Sequence, residues 1–537
     1  MTTVREATYD VLRDVGMKLI FGNPGSSELP FLKDMPADFR YILGLHERVA
    51  AGMAVGYALG KGEAAFVNLH SIASVGNGLA AIVDAHYCHA PLVVTTGQQD
   101  RRQIFAEPFL ASRAVDVVRP YAKWAYEPLR PEDVPVAIAR GYHLAMQPPR
   151  GPVFISIPMD DWNHPCSPAA SRRVSQPAMP DAAALDEVVR AIHSSRKLAL
   201  VAGSQIEEDR AGREVVALAE SLNADVYDEP IASRWAFPRS HRLFRGALLP
   251  AQRPLAEQLA AYDTVVVLGA PVFLYYAYVP GGVIAPGTKL FQITNSPFDA
   301  AGALDGASVV GNVAEAVRYI TNRVKPVARS VPARVPVPEA KPGRPIPPAY
   351  VFSILNKLLP RDAIVAEECP SSKGDLDRHI VLDEPGSFYS VRSGILGFGL
   401  PAAVGLQLAH SQRRVICPVG DGSAQYAIQA LWSAVQLNTP VIFVLLRNGN
   451  YSALKSFRDF TQVGKSVPGI EIPGIDAVKI AQGYGMAARE VDRPEELEPA
   501  FREALASPRP ALLSVNVLPG GEKCMGMDQS VNPPNYG

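Results

Sequence analysis

The stretch Val415-Ile416-Cys417-Pro418-Val419-Gly420-Asp421-Gly422-Ser423 is typical of a buried strand that runs into a glycine-rich turn and then a helix. Its first five residues are mostly apolar or β-branched, as in a central strand of a parallel sheet. Glycines on either side of Asp421 let the backbone approach an anion, and a helix N-terminus offers free N–H groups to phosphate oxygens. A lone Gly-Asp-Gly is more often only a tight turn. The stretch therefore predicts an α/β fold, and a phosphate site only if a second loop supports it.

A second polar loop, Arg447-Asn448-Gly449-Asn450, follows the next predicted strand, 441–446. Asn448 lies 27 positions after Asp421, about one helix plus one strand further along. Because neighbouring parallel strands end at the same edge of a sheet, both side chains can reach one cation. Carboxylate and amide oxygens suit a hard cation such as Mg2+. Together the two loops predict a magnesium and diphosphate site.

The same alternation of apolar runs and helical stretches continues along all 537 residues. Two segments break it: 163–182 is rich in Pro, Ser and Ala, and 326–348 holds eight prolines. Dividing the chain there predicts an α/β protein of three doubly wound parallel-sheet domains, at 1–180, 183–325 and 346–537. The predicted strands are 18–21, 65–69, 92–95 and 153–157 in the first domain, 198–202, 264–268 and 289–293 in the second, and 363–366, 415–419, 441–446 and 512–517 in the third.

Composition limits the classes of partner. Lys and Arg number 52 against 53 for Asp and Glu, so the net charge of -1 gives no field that attracts nucleic acid or an anionic membrane. No apolar run reaches the roughly 20 residues that span a bilayer, and the charged N-terminal segment lacks a signal core. The five scattered cysteines fit a reducing compartment. We therefore expect a cytoplasmic protein with no nucleic-acid or membrane partner.

The two polar loops resemble the signature of thiamine diphosphate enzymes. Further segments resemble the benzoylformate decarboxylases, among them 21–26, 31–47, 68–71, 123–128 and 269–273. On these motifs the chain is identified as a member of the thiamine diphosphate-dependent 2-oxo acid decarboxylase family, most similar to the benzoylformate decarboxylases. The resemblance implies the thiamine diphosphate-binding fold, with pyrimidine-binding, central and diphosphate-binding domains in that order.

The resemblance also implies thiamine diphosphate bound through Mg2+ (or Ca2+). Asp421 and Asn448 would ligate the metal through their side chains, and Asn450 through its backbone carbonyl. Leu396 would be an apolar wedge beneath the two rings of the cofactor, although packing is the ordinary role of a leucine. The family often has two adjacent asparagines, and Arg447 replaces the first of them here. The other implied cofactor contacts are Ser371, Gly394, Gly420, Gly422, Ser423 and Tyr451.

Glu47, before a helix rich in small residues, is the candidate for activating the cofactor. A carboxylate must hydrogen-bond the aminopyrimidine ring, and it should be buried with no cation beside it. A glutamate at a helix N-terminus is otherwise more often only a favourable partner of the helix dipole. The resemblance implies that Glu47 of one subunit faces Asp421 of another. The expected homo-oligomer is a dimer at minimum and a tetramer by analogy with the family.

Ser26 and His70 match the substrate-binding serine and the acid–base histidine of the family. A helix N-cap is the alternative for Ser26, and a structural role is the alternative for His70. Tyr276 replaces a second active-site histidine. Its phenol has an ordinary pKa near 10, against about 6.5 for imidazole, so it is a poorer proton shuttle at neutral pH. Leu454 and Phe457 are candidate apolar walls of the substrate pocket.

Arg392, together with Ser390 and Ser456, stands where the family has other residues. A more polar pocket, for a substrate with a second anionic group, is one interpretation. A solvated surface arginine is an equally good interpretation of Arg392. The sequence leaves both open.

The implied function is the non-oxidative decarboxylation of an aromatic 2-oxo acid such as benzoylformate to the aldehyde and CO2, by a thiamine diphosphate-dependent carboxy-lyase. A carboligase or lyase on the same cofactor is one alternative, and slower proton transfer through Tyr276 would favour it. A degenerate cofactor-binding homologue is another. Retention of Glu47, His70, Asp421 and Asn448 argues against that last alternative.

Overall fold

A computed structural model describes residues 2–170, 172–330, 332–333 and 336–520. These residues form three six-stranded sheets in which every strand pairing is parallel. The predicted α/β class with three parallel-sheet domains is confirmed. Residues 521–537 of the predicted third domain, with Cys524, lie outside the described residues. In the part of the chain that is described, no helix is both long and apolar enough to cross a membrane.

The first domain has the strand order β2-β1-β3-β4-β6-β5. Its strands are β1 (Leu19–Asn23), β2 (Arg40–Leu43), β3 (Ala65–Leu69), β4 (Leu92–Gln98), β5 (Trp124–Tyr126) and β6 (Pro152–Pro158). Its helices are α1 (Val4–Asp14), α2 (Leu29–Leu32), α3 (Glu47–Lys61), α4 (Ile72–Tyr87), α5 (Ala114–Val118) and α6 (Val134–Met146). A short 3-10 helix, Ser26–Glu28, joins β1 to α2.

The second domain repeats this architecture with the order β12-β11-β10-β7-β8-β9. Its strands are β7 (Leu198–Ala202), β8 (Asp225–Asp228), β9 (Phe244–Ala247), β10 (Thr264–Leu268), β11 (Lys289–Thr294) and β12 (Ala307–Val310). Its helices are α7 (Ala182–Ser194), α8 (Gln205–Glu208), α9 (Gly212–Leu222), α10 (Gln252–Leu259), α11 (Pro297–Ala301) and α12 (Val313–Thr321).

The third domain has the order β14-β13-β15-β16-β18-β17. Its strands are β13 (Ile364–Glu367), β14 (Phe388–Ser390), β15 (Val415–Gly420), β16 (Ile442–Arg447), β17 (Ala487–Val491) and β18 (Ala511–Asn516). Its helices are α13 (Pro348–Leu358), α14 (Lys373–His379), α15 (Gly399–Ala409), α16 (Asp421–Ala424), α17 (Ala430–Gln436), α18 (Ser452–Thr461), α19 (Ala477–Gly483) and α20 (Pro494–Ala506).

Helices α3 and α15 join the first domain to the third. Small residues let the two backbones touch: a Cβ on Gly56 would lie 2.1 Å from the carbonyl oxygen of Ala402, and one on Gly405 would lie 1.9 Å from that of Met53. One hydrophobic core accordingly contains residues of both domains, while a separate core fills the second. Since α3 begins at Glu47, this contact also fixes where that carboxylate stands relative to the third domain.

Gly405→Ala is expected to lower the free energy of unfolding by about 1–3 kcal/mol, because the added methyl group meets backbone atoms that cannot move aside without separating the helices. A urea titration followed by circular dichroism measures the change. The matched control is Gly483→Ala, also in a helix, where no atom lies within 4 Å of the new Cβ. Equal midpoints for the two variants would contradict the close helix contact.

Candidate active site

Asp421 lies directly after β15 and accepts hydrogen bonds from the loop that follows β16. Its Oδ2 is 3.0 Å from the backbone nitrogen of Asn448 and 2.7 Å from that of Gly449, and its Oδ1 is 2.9 Å from that of Gly422. β15 and β16 are neighbours in the sheet, with Gly420 opposite Leu446. The two loops that the sequence singled out therefore meet at the carboxyl edge of this sheet.

The oxygen donors of these loops fit a divalent metal. Asn448 Oδ1 accepts a hydrogen bond of 3.1 Å from the backbone nitrogen of Asn450, within the loop whose backbone N–H groups donate to Asp421. Among the described residues, no group of three or more His, Cys, Asp or Glu could hold a metal on its own. Mg2+ is usually held by one or two carboxylates together with phosphate oxygens. A single carboxylate beside amide and carbonyl oxygens suits a metal that bridges to a diphosphate.

Three more of the predicted cofactor residues surround this loop. A Cβ on Gly422 would lie 2.4 Å from the ring of Tyr451, so only glycine lets the tyrosine approach. Ser371 Oγ accepts a hydrogen bond of 3.0 Å from the backbone nitrogen of Ala453 at the start of α18. Arg447 is turned the other way and forms an ion pair of 2.8 Å with Asp492. Replacement of the family asparagine by Arg447 thus puts no cation among the oxygens that are predicted to bind the metal.

Leu396 lies half-buried in a turn of the chain before α15. Gly394 and Gly397 flank it with φ of +75° and +97°, which side chains other than glycine rarely adopt. The carbonyl oxygen of Leu396 accepts a hydrogen bond of 3.2 Å from Arg48 Nη2. The predicted wedge therefore sits on a fixed loop between the first and third domains.

Glu47 is the first residue of α3 and is 7% exposed. Its carboxylate accepts hydrogen bonds from Ser74 Oγ at 2.7 Å, Asn77 Nδ2 at 3.0 Å and Asn23 Nδ2 at 3.1 Å. All three donors are neutral. Burial by itself would raise the pKa of Glu47, but the hydrogen bonds outweigh it, so the pKa lies below its usual value. The buried carboxylate without a cation that the chemistry requires is present.

The charged neighbours of Glu47, His46 and Arg48, point away from it. His46 caps the helix, with its Nδ1 accepting from the backbone nitrogen of Arg48 at 3.1 Å. Arg48 forms an ion pair with Asp84. The environment of Glu47 is therefore polar but uncharged.

His70 follows β3 and forms a cluster with two residues that the sequence reasoning missed. Its Nδ1 lies 2.8 Å from Ser27 Oγ and 2.9 Å from Glu28 Oε2, and Glu28 is 1% exposed. A carboxylate at Nδ1 holds the proton there and leaves Nε2 as the nitrogen that exchanges protons. A Cβ on Gly25 would lie 2.4 Å from the imidazole, so this glycine permits the close approach.

Ser26 begins the short 3-10 helix after β1 and is exposed. The N-cap position belongs to Gly25, so the alternative that Ser26 is a helix cap is wrong. Its neighbour Ser27 contacts His70. Ser26 and His70 thus lie at the same carboxyl edge of the first sheet as Glu47.

Tyr276 reaches from the second domain to α18 of the third. Its ring packs edge-to-face on Phe457, with 5.4 Å between centroids. Tyr276 is 56% exposed and Leu454 is 49% exposed, so both present surface beyond this contact. The structure brings the predicted replacement for the family histidine to one of the two predicted apolar walls.

Arg392 is not a solvated surface residue, and that alternative is wrong. Its side chain is 7% exposed and forms an ion pair of 3.0 Å with Glu229 of the second domain. Ser390 Oγ donates to Glu367, and Ser456 Oγ donates to the carbonyl of Ser452. Because all three polar groups have partners inside the protein, they give little support to a polar pocket for a second anionic group.

Comparison with known proteins accounts for all three domains. Thiamine pyrophosphate (TPP) is another name for thiamine diphosphate. Models of the thiamine pyrophosphate enzyme family match the chain in three places: the N-terminal TPP binding domain at 2–109, the central domain at 185–320 and the C-terminal TPP binding domain at 371–515. Over 523 residues the chain is 45% identical to benzoylformate decarboxylase from Pseudomonas aeruginosa, covering 96% of this chain and 99% of the relative. The chain belongs to the thiamine pyrophosphate enzyme family.

Two solved structures of this family share the whole architecture. The 4-hydroxybenzoylformate decarboxylase of Rhodococcus jostii RHA1 is 41% identical, with a TM-score of 0.94 over 98% of this chain and 100% of that chain. Benzoylformate decarboxylase from Polynucleobacter necessarius is 36% identical, with a TM-score of 0.96 over 97% and 100%. These matches confirm the predicted resemblance to the benzoylformate decarboxylases and the predicted class, a thiamine diphosphate-dependent carboxy-lyase.

As a thiamine pyrophosphate enzyme, the protein uses thiamine diphosphate with a divalent metal, as predicted. The roles of the individual residues and the domain boundaries stay predictions. In one chain the predicted residues form two groups at the carboxyl edges of two sheets: Glu47, Ser26 and His70 in the first domain, and Asp421, Asn448, Tyr451 and Ser371 in the third.

Proposed function

We propose that the protein decarboxylates an aromatic 2-oxo acid, with benzoylformate as the first candidate, and releases CO2 and the aldehyde. The observation that carries the proposal is the buried carboxylate of Glu47, held by three neutral donors. Relatives named benzoylformate decarboxylase and 4-hydroxybenzoylformate decarboxylase support an aromatic substrate. Non-oxidative decarboxylation on this cofactor needs a buried carboxylate, a proton donor and a site for the substrate carboxylate, and the chain offers a candidate for each.

When bound, thiamine diphosphate accepts the electron pair that remains as CO2 leaves, and this chemistry belongs to the cofactor. Glu47 is the carboxylate that hydrogen-bonds its aminopyrimidine ring. Its lowered pKa keeps it ionised at neutral pH, so it can accept a proton. Asp421, Asn448 and the carbonyl of Asn450 hold the metal, which we take to be Mg2+, with Ca2+ as a substitute.

His70 moves the proton at the reacting oxygen of the substrate. Glu28 binds the Nδ1 side of the imidazole, so Nε2 is the atom that donates and accepts. Ser26, exposed at the same edge, binds the substrate carboxylate. Leu454 and Phe457 supply apolar surface for an aromatic substituent.

Glu28→Gln is expected to lower kcat about ten- to a hundredfold, because the amide no longer stabilises a protonated imidazole and weakens control of the tautomer. Glu127→Gln is the control, because that carboxylate accepts from Ser156 and Gln98 and is not part of the cluster around His70. A kcat for Glu28→Gln equal to that of Glu127→Gln would remove Glu28 from the mechanism.

Tyr276→His is expected to raise kcat for decarboxylation about tenfold, because imidazole exchanges protons at neutral pH and the phenol does not. The fraction of carboligation product with an added aldehyde should fall, since the carbon that becomes the aldehyde is protonated sooner. Tyr276→Phe keeps the ring against Phe457 and removes only the hydroxyl. Fast decarboxylation in the wild type, undiminished in Tyr276→Phe, would exclude proton transfer by Tyr276.

We place the cofactor between subunits, with Glu47 of one chain facing Asp421 of another. Apolar side chains near both groups support this arrangement, because Leu45, Tyr426 and Leu454 are 45%, 53% and 49% exposed in one chain. A dimer is then the smallest active unit, and a tetramer is the assembly expected from the family. Light scattering measures the mass, and full activity in a monomer would contradict the arrangement. A cytoplasmic location also stays a prediction.

A panel of 2-oxo acids tests the proposed function directly. CO2 release is measured from benzoylformate, 4-hydroxybenzoylformate and pyruvate with thiamine diphosphate and Mg2+ present. We expect the aromatic acids to have the highest kcat/KM. A preference for pyruvate would contradict the substrate class, and no turnover of any acid would favour a degenerate homologue. Analysis of products with an added aldehyde separates decarboxylation from carboligation.

A further inference from the structure

A buried ion pair in the first domain contacts the loop that carries Leu396. Arg48 and Asp84 lie 2.5 Å apart with side chains 4% and 1% exposed. Arg48 belongs to α3 and Asp84 to α4, so the pair joins two helices of the first domain. Arg48 also donates to the carbonyl oxygen of Leu396, at 3.2 Å, across the domain boundary. The guanidinium of Arg48 thus contacts both the carboxylate of Asp84 and the backbone carbonyl of Leu396.

Asp84 holds the other end of the same loop. Its Oδ1 accepts a hydrogen bond of 2.5 Å from Ser393 Oγ, and the backbone nitrogen of Ile395 donates to that Oγ at 3.0 Å. One ion pair therefore fixes the loop at Ser393 and, three residues later, at Leu396. Between these points lies Gly394, whose backbone conformation would otherwise be the most adaptable.

Glu368 holds the loop from the side of the third domain. Its carboxylate oxygens accept from the backbone nitrogens of Gly397 at 2.5 Å and Gly399 at 2.6 Å. A Cβ on Gly397 would lie 3.0 Å from Arg48 Nε, so the guanidinium packs directly on the loop backbone. The loop is thus held between a first-domain cation and a third-domain carboxyl group.

Stability alone is a weak reason for such a pair. Desolvating two charges costs several kcal/mol, and replacing a buried pair by apolar residues of similar volume is often neutral or stabilising. The hydrogen bonds to Ser393 and Leu396, by contrast, require these two side chains. What the pair provides, and an apolar pair would not, is a fixed position for the loop.

We propose that Arg48 and Asp84 are positioning residues that set the height of Leu396 beneath the rings of the cofactor. The inference rests on the proposed role of Leu396 as the wedge. Neither residue is placed in contact with the cofactor, so neither is a catalytic residue. Since the wedge would contact the rings and the metal loops would contact the diphosphate, loss of the pair should affect recognition of the rings alone.

The test compares two ligands by calorimetry on the whole protein with Mg2+ present: thiamine diphosphate, and inorganic diphosphate, which has no rings. Arg48→Met combined with Asp84→Leu removes the pair while keeping a similar volume. We expect Kd for thiamine diphosphate to rise at least tenfold and Kd for inorganic diphosphate to stay within twofold. Arg48→Lys keeps the ion pair but loses the forked donor, and should give an intermediate rise.

A matched control pair lies in the second domain. Arg239 and Asp228 are 2.6 Å apart with side chains 3% and 1% exposed. Arg239→Met combined with Asp228→Leu should leave both dissociation constants unchanged. The circular dichroism of the bound cofactor, which reports the conformation of its rings, should change in the Arg48/Asp84 variant and stay as in the wild type in the control.

Two results would overturn the inference: Kd values that rise together for both ligands, or a Kd for thiamine diphosphate that stays within twofold of the wild type. If Arg48→Lys fails to fold, the double variant decides, because it leaves no unpaired buried charge. A wild type that binds inorganic diphosphate but not thiamine diphosphate would overturn the proposed function itself. The two failures are thereby distinguished.

Discussion

Glu47→Gln should lower kcat for 2-oxo acid decarboxylation by about 10²–10⁴-fold, the usual contribution of a positioned acid–base group. Glutamine has nearly the same shape but cannot take up a proton as the carboxylate does. Ser74, Asn77 and Asn23 all donate to the carboxylate oxygens of Glu47. In the variant, the carbonyl oxygen of the glutamine amide can still accept some of these hydrogen bonds. Single-turnover kinetics measure the loss, and calorimetry should show thiamine diphosphate still bound.

The pH dependence of kcat/KM is a second test of the role of Glu47. The pKa of Glu47 is lower in the folded protein than in the unfolded chain. The hydrogen bonds to its carboxylate therefore add to the free energy of unfolding at a pH above the pKa of the unfolded state. This contribution is lost as the pH falls through the pKa of the folded state, where Glu47 becomes protonated. The acid limb of kcat/KM should therefore reflect protonation of Glu47. Ser74→Ala removes the shortest donor, raises the pKa of Glu47 and should move the acid limb to higher pH. Activity of Glu47→Gln within threefold of the wild type would exclude Glu47 as the activating carboxylate.

The central strands could be predicted from sequence because burial on both faces leaves a continuous apolar run, as in β3 and β10. Two edge strands, β12 and β17, were missed for the opposite reason. β12 and β17 are largely exposed, so their residues show neither an apolar run nor clean alternation. Strand order then decides which loops meet, and no local pattern encodes it.

Some contacts of the candidate site could be predicted from local sequence patterns, and others could not. The meeting of the Asp421 and Asn448 loops could be predicted, because a short motif and its spacing suffice once two parallel strands are neighbours. Glu28 was missed, since it lies 42 residues from His70 in sequence and meets it only because β1 and β3 are adjacent. The two interpretations of Arg392 could not be separated, because its partner Glu229 belongs to another domain.

Asp421→Ala is expected to have the largest effect on cofactor binding, weakening thiamine diphosphate by at least about a hundredfold in Mg2+. It removes the carboxylate of the proposed metal site, and it also leaves the backbone N–H groups of Asn448 and Gly449 without their acceptor. The loop after β16 then loses both the charge that attracts the metal and the contacts that shape it. Dialysis against a chelator should mimic the variant in the wild type and be reversed by Mg2+.

Asp421→Asn separates these two effects, because the amide oxygen can still accept from the loop while the charge is gone. Affinity should then fall mainly through the metal, so raising the Mg2+ concentration should recover part of the binding in Asp421→Asn and little in Asp421→Ala. Asp492→Asn is the control, since that exposed carboxylate pairs with Arg447 at the same sheet edge. A diphosphate is negatively charged and needs a cation to neutralise it. If Asp421→Asn bound the cofactor as tightly as Asp492→Asn does, that cation would therefore have to be held by residues other than Asp421.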